Sequence, residues 1–182
     1  VVVGDGWVWL HVALIVRRMK GWLAGRCSLT GVVRAVFEGN DESLVLGYEA
    51  GVTYGVVADL QQDMERTSTA IGRLHFALTE RLLVTGRRHP VEAVNRVRRS
   101  FADGFCPTTA YELFEGIVTD FCKNTTIRLK EATGLLDAVE DRLVTERLSD
   151  ERRSLKDVRR LAVSLHRPVA GMVALFEEED RV

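Results

Sequence analysis

The chain has 182 residues, 46% of them hydrophobic and 28% charged, with 25 Lys and Arg against 26 Asp and Glu. That length supports one domain with a sizeable core, and a net charge of -1 excludes the strongly basic footprint of a nucleic-acid binder. Cys27, Cys106 and Cys122 stand far apart with no CxxC unit, which excludes a zinc ribbon or a disulfide framework and fits a reducing, intracellular setting.

Trp7–Val12 (WVWLHV) mixes aromatic and β-branched residues and predicts a strand. Leu14–Leu23 and Leu29–Phe37 predict two short helices separated by Gly25–Ser28, with Ser28 capping the second. Leu44–Glu49 and Val52–Leu60 predict strands joined tightly at Ala50–Gly51, and Val52, Tyr54, Val56, Ala58 and Leu60 share one face. Gln61–Ser68 is polar and predicts a loop. Thr69–Leu78 alternates again, with Leu74, Phe76 and Leu78 on one side and Arg73 and His75 on the other. A turn at Thr79–Arg81 leads into Leu82–Arg87. Pro90 then opens a helix with Val91, Val94, Val97 and Phe101 on one side, ended by Gly104.

Two long helical patterns follow. In Thr108–Glu146, Phe114, Val118, Phe121, Leu129, Ala132, Leu136, Val139 and Leu143 recur mostly at steps of three or four. Thr108 is the expected N-cap. In Ser149–Asp180, Leu155, Val158, Leu161, Leu165, Val169, Met172 and Phe176 do the same. Each stripe covers one helix face and needs a partner, so a break at Arg147–Leu148 predicts an antiparallel hairpin. Pro168 removes one backbone hydrogen bond, to the Ser164 carbonyl, and is expected to kink the second helix. The expected fold class is α/β, a sheet flanked by helices in an α/β/α sandwich. Residues 1–107 form its core, and residues 108–182 form the long hairpin packed on the same domain.

The side chains that carry chemistry are dispersed. His11, His75, His89 and His166 share no metal-ligand spacing with one another or with a cysteine. Asp137, Glu140 and Asp141 bring carboxylates to neighbouring helix positions, and Glu177–Asp180 is the most acidic run. Both read as solvated faces that attract divalent cations loosely. Arg87, Arg88, His89, Arg96, Arg98 and Arg99 form a local basic cluster without the interleaved aromatics of a nucleic-acid surface. GxSxG and Walker motifs are absent, and Gly4-Asp5-Gly6 precedes a strand rather than joining strand to helix, so an enzyme is not expected. No segment reaches the roughly 18 consecutive apolar residues of a membrane helix. The opening Val, and the acidic close Glu177–Asp180 with no Gly or Pro stop, lead us to expect a piece of a longer chain whose last helix runs past Val182.

Four stretches together resemble the cytoplasmic domain of CorA-type divalent metal-ion transporters, most closely their ZntB-like branch. They are WVWLHV, RLHFALTERLLVTGRRHPVEAV at Arg73–Val94, LLDAVEDRLV at Leu135–Val144, and LKDVRRLAVSLHRPVAGMVAL at Leu155–Leu175. Within the second, Leu83-Val84-Thr85-Gly86-Arg87 is similar to the family's (I/V)TxR strand ending. The resemblance implies a cytoplasmic domain of a membrane transporter for divalent cations, with zinc as the ion in a ZntB-like protein and magnesium or cobalt in a CorA-like one. It implies a homopentamer in the full-length protein and attachment to the membrane through helices beyond this chain. A divalent cation is then cargo or regulator, no cofactor is required, and nucleic acid is not a partner. The family's Gly-x-Asn pore motif is not in this sequence, so no pore residue carries over, and the metal-binding residues are unknown. A reading from another class is a stand-alone soluble module whose helical hairpin binds a partner helix.

Overall fold

A strand forms at each of the five places where the sequence predicts one. The computed structural model describes residues 1–16, 31–39, 43–62, 70–143 and 148–179. Its strands are β1 (Val2–Val3), β2 (Val8–Ala13), β3 (Val45–Glu49), β4 (Val52–Leu60), β5 (Ile71–Leu78) and β6 (Leu82–Arg87). Its helices are α1 (Gly31–Glu38), α2 (Glu92–Ser100), α3 (Ala110–Leu143) and α4 (Leu148–Glu179). The short β1 was not anticipated; two residues carry no readable alternation. Of the expected helix Leu14–Leu23, residues 14–16 form a turn and the rest lies outside the described residues, as do Ser28, Cys27, most of the loop Gln61–Ser68, and Arg147.

The sheet order is β1-β2-β6-β5-β4-β3. β3 to β6 form an antiparallel meander, and β2 joins it in parallel with β6, with Leu10 opposite Val84 and His11 opposite Thr85. At the β3–β4 turn both Ala50 and Gly51 have positive φ (50° and 83°), which lets so tight a connection follow the strand twist.

Each sheet face meets helix. On one, Val33 and Phe37, four residues apart on α1, pack with Val12, Leu14, Ala77 and Val84. His75 Nδ1 lies 2.8 Å from the Val36 carbonyl on that face. On the other, Trp7, Trp9, Leu74, Phe76, Leu78 and Leu83 pack with Val94 and Val97 of α2, Leu113, Ile117 and Phe121 of α3, and Leu165 and Met172 of α4. The rings of Phe76 and Phe114 lie 4.3 Å apart between centroids and seat α3 on β5. The result is the α/β/α sandwich expected from the sequence.

The long helices pack against each other, and with so short a link between them they must then run antiparallel. A helix of α3's 34 residues is about 50 Å long, and four linking residues reach only about 14 Å. The buried face of α3 is turned from the expected stripe. Ala110, Leu113, Ile117, Phe121, Thr125 and Ala132 are its most buried positions, while Phe114, Val118 and Leu129 flank them and Leu136 is half-buried. The difference arises because α3 serves two partners, the sheet on one side and α4 on the other, so its apolar face is wider than one stripe. On α4, Val158, Leu165 and Met172 are buried as expected, and Pro168 sits, buried, inside a continuous helix. The side chain of Val139 lies outside the described residues. Leu165→Ala should destabilise the chain by about 2–5 kcal/mol, and Leu136→Ala by clearly less, read as shifts of the denaturant midpoint. Equal costs at the two sites would contradict this packing.

Candidate functional site

Among the described residues, two polar constellations link elements of the fold. The first lies where the parallel strands β2 and β6 meet. Thr85 and Arg87 are two residues apart on β6 and so share a face, and register places His11 opposite Thr85. Trp9 donates its indole N–H to Thr85 Oγ1 at 2.8 Å, and His11 Nδ1 lies 2.9 Å from the same oxygen. Arg87 donates its Nε–H to His11 Nε2 at 3.0 Å. With Nε2 accepting, Nδ1 carries the proton and donates to Thr85, so the imidazole is neutral. Burial, and then the charges of Arg87 and Arg98, push its pKa down from 6.5 to about 4. This geometry accounts for the (I/V)TxR-like ending: Thr85 collects two donors, Arg87 locks the ring, and Gly86 lets Leu14 close on the strand. A Cβ at Gly86 would stand 2.8 Å from Leu14 Cδ2.

The second constellation joins the sheet to α2 and α3. Asp59, 1% exposed at the end of β4, accepts the backbone N–H of Leu60 at 2.7 Å and of Ala93 at 3.1 Å, with a longer contact to Val94 at 3.5 Å. Ala93 and Val94 are in the first turn of α2, whose own N-cap residue Val91 offers no side-chain bond. Asp59 therefore caps α2 from another element. Burial pushes its carboxyl up to about 7, against the pull of these N–H groups and of Arg96. One turn along, Arg96 donates to Glu92 Oε2 (2.9 Å) and Asp120 Oδ2 (2.8 Å), and Arg128 donates to Glu92 Oε1 (2.6 Å). Burial alone would lower the Arg96 pKa; Asp120 and Glu92 outweigh it and raise it. Two cavities flank Arg96. One of about 670 Å³ includes Arg99, Phe105, Glu115 and Lys123, and one of about 440 Å³ includes Gln62, Asn95, Arg128 and Glu131.

The residues singled out in the sequence are not brought together as a metal centre. Asp137, Glu177 and Glu178 are exposed, and the side chains of Glu140, Asp141 and Glu179, with all of Asp180, lie outside the described residues. Among the described residues, no group of three or more His, Cys, Asp or Glu side chains is placed to hold a metal ion. His75 is on the α1 face, and His89 and His166 are exposed. Cys106 and Cys122 are free thiols at the surface. The basic cluster divides: Arg96 joins the Glu92–Asp120 network, Arg87 the His11 network, and Arg88 donates to the Gly39 carbonyl. The N-cap of α3 is corrected by one residue. Thr109 Oγ1 accepts the Glu112 N–H, while Glu112 reaches back to the N–H and hydroxyl of Thr108, which holds its carboxyl below the usual range. The Asp59 cap was missed. Its signal was the absence of Ser, Thr, Asp or Asn immediately before α2.

The family model described as "CorA-like Mg2+ transporter protein" matches residues 4–177. A comparison with curated proteins returned no sequence match. Among solved structures, the full-length CmaX protein superposes with a TM-score of 0.86 at 18% identity, over 97% of this chain and 54% of that one. The soluble domain of CorA from Methanocaldococcus jannaschii gives 0.72 at 14% identity, over 93% and 68%. The ZntB cytoplasmic domain from Vibrio parahaemolyticus RIMD 2210633 gives 0.56 at 13% identity, over 96% and 88%. At such identities the likeness is one of fold. The chain spans about half the length of CmaX.

Two outcomes test the constellations. Asp59→Ala leaves the first-turn N–H groups of α2 without their acceptor and should cost about 1–3 kcal/mol. Asp59→Asn keeps an acceptor and should cost less; an alanine variant as stable as the parent would show that the cap is idle. For His11, the unfolded chain takes a proton below 6.5, whereas the folded chain takes it only near 4. Stability is therefore full above 6.5 and falls as the pH drops from 6.5 to about 4, by at most about 3 kcal/mol. A His11→Gln variant should lack that part of the slope in pH-dependent denaturation. An identical slope in parent and variant would contradict the depressed pKa.

Proposed function

The chain belongs to the CorA-like Mg2+ transporter family, and from that membership we propose that it is the cytoplasmic domain of a membrane transporter for divalent cations. The single observation that carries the reading is the family match across residues 4–177. A fold shared with the soluble domain of CorA and the cytoplasmic domain of ZntB supports it. No helix among the described residues is long and apolar enough to cross a membrane, so conduction falls to parts of the full-length protein outside this sequence. The chain spans 53% of the complete CorA transporter from Methanocaldococcus jannaschii, which leaves room for such parts.

Magnesium is the first cargo to test, since the matching family model is described by that ion. Zinc is the second, favoured by the ZntB-like stretches Arg73–Val94 and Leu155–Leu175. In this reading the domain acts in transport and not as an enzyme. It links cation level or subunit packing to the pore of a homopentamer, working through α3 and α4. Those helices are tied to the sheet by the shared core, and α3 is tied to α2 by the Glu92–Arg96–Asp120 network.

The test is ion flux. Full-length protein in liposomes loaded with a magnesium- or zinc-sensitive dye should admit at least one of the two ions, and the 182-residue chain alone should admit neither. Sedimentation should find the chain alone as a monomer or dimer. Flux of neither ion through the full-length protein would sink the transport reading, and a stable pentamer of the chain alone would overturn the division of labour in assembly.

A further inference from the structure

The carboxyl ends of parallel strands are where open α/β sheets take their ligands. Here β2 and β6 form the parallel pair, and their ends at Ala13 and Arg87 lie side by side. Arg87 spends its Nε–H on His11, which fixes the guanidinium in place, and among the described residues neither terminal amino group of the fork meets an acceptor. The C-terminal turn of α2 crosses the same region: the Phe101 ring is 6.3 Å from Trp9, and the Trp9 ring is 6.0 Å from His11. Arg98 precedes Phe101 by three residues, so it lies on the same side of that turn, and its charge reaches His11. Arg98 is exposed, while Arg87 and His11 are half-buried, so the group opens to solvent.

The charge balance of this corner is unusual. Among the described residues, the ion pairs are Arg96 with Glu92 and Asp120, and Arg128 with Glu92; none involves Arg87 or Arg98. The imidazole beside Arg87 is neutral and offers its lone pair to that guanidinium. Two cations thus act on one residue, and among the described residues no ion pair offsets either of them, although carboxylates are as numerous as cations in the chain as a whole. An anion with several oxygens would relieve that repulsion and match the planar fork of a held arginine.

We propose that the carboxyl ends of β2 and β6 form a binding site for a phosphate-type oxyanion, with Arg87 and Arg98 as its donors and His11 as the residue that positions Arg87. The site is independent of which cation the full-length protein carries.

Inorganic phosphate is the probe. In NMR titrations of the 182-residue chain, phosphate added at constant ionic strength should move the His11 ring resonances and the Arg87 Nε–H saturably. It should also raise the His11 titration midpoint, because a bound anion favours the imidazolium. Arg98→Gln, an exposed change that leaves the core intact, should weaken binding about fivefold, and Arg87→Gln more than about tenfold. A second arm uses vesicles of phosphatidylglycerol in phosphatidylcholine. Binding of phosphate that depends on both arginines identifies a free ligand, and binding of vesicles alone with that dependence identifies a lipid headgroup; either supports the site. The proposal is overturned if chloride matches phosphate, if the shifts never saturate, or if Arg98→Gln and Arg87→Gln bind as the parent does.

Discussion

One buried carboxylate holds the layers together. Asp59 closes the end of β4 and at the same time supplies the acceptor that α2 lacks in its own sequence. An uncapped helix terminus packed into a core would leave donors without partners, which is costly away from water. The position of α2 is therefore set by the sheet and not by its own flanking residues. From α2 the constraint passes outward: Glu92, its first residue, pairs with Arg128, and Arg96, one turn on, pairs with Asp120, which fixes the azimuth of α3. α3 in turn fixes α4 through the core they share. A single acid at the end of one strand thus orients the two longest helices of the chain.

The network at β2 and β6 has a different character. It is a sheet-face chain of hydrogen bonds in which each donor has one acceptor: indole to hydroxyl, imidazole to hydroxyl, guanidinium to imidazole. Such a chain selects one tautomer and one rotamer for every member. It also explains why a strand ending of the form Thr-x-Arg follows from physics here. Two residues' spacing keeps both side chains on one face, and the position between them must be small because Leu14 closes over it.

What was legible in the sequence was whatever repeats with a period. Val52–Leu60 alternates and Leu82–Arg87 follows a turn signal, and both strands have the bounds expected. The stripes of the long helices gave their existence and pairing. The rotation of α3 was not legible, because Phe114 and Leu113 are equally apolar and only the joint presence of sheet and α4 decides which is innermost. Long-range polar pairing was not legible either. Nothing local joins Asp59 to Ala93, or Arg128 to Glu92, and a charged residue at the end of an apolar strand reads as a solvent-facing terminus until the fold closes over it. The four histidines showed no ligand spacing along the chain, and only the parallel register reveals that His11 has a defined partner set.

The parallel pairing carries a consequence for how the chain reaches this state. β3 to β6 pair as neighbours in chain order, so their contacts are the more local ones. β2 must find β6 across 74 to 76 residues of intervening chain, the separation of its hydrogen bonds to Thr85 and Arg87. Closing so long a loop removes far more chain entropy before any contact forms than closing a hairpin does, and contacts of that span are the slow ones in folding. The meander is thus the natural early body, and the N-terminal strand is the late arrival that completes the sheet. Until it docks, the edge of β6 presents unpaired backbone groups to any other extended segment nearby, so the unfinished chain is most open to wrong partners at the strand that ends in Arg87.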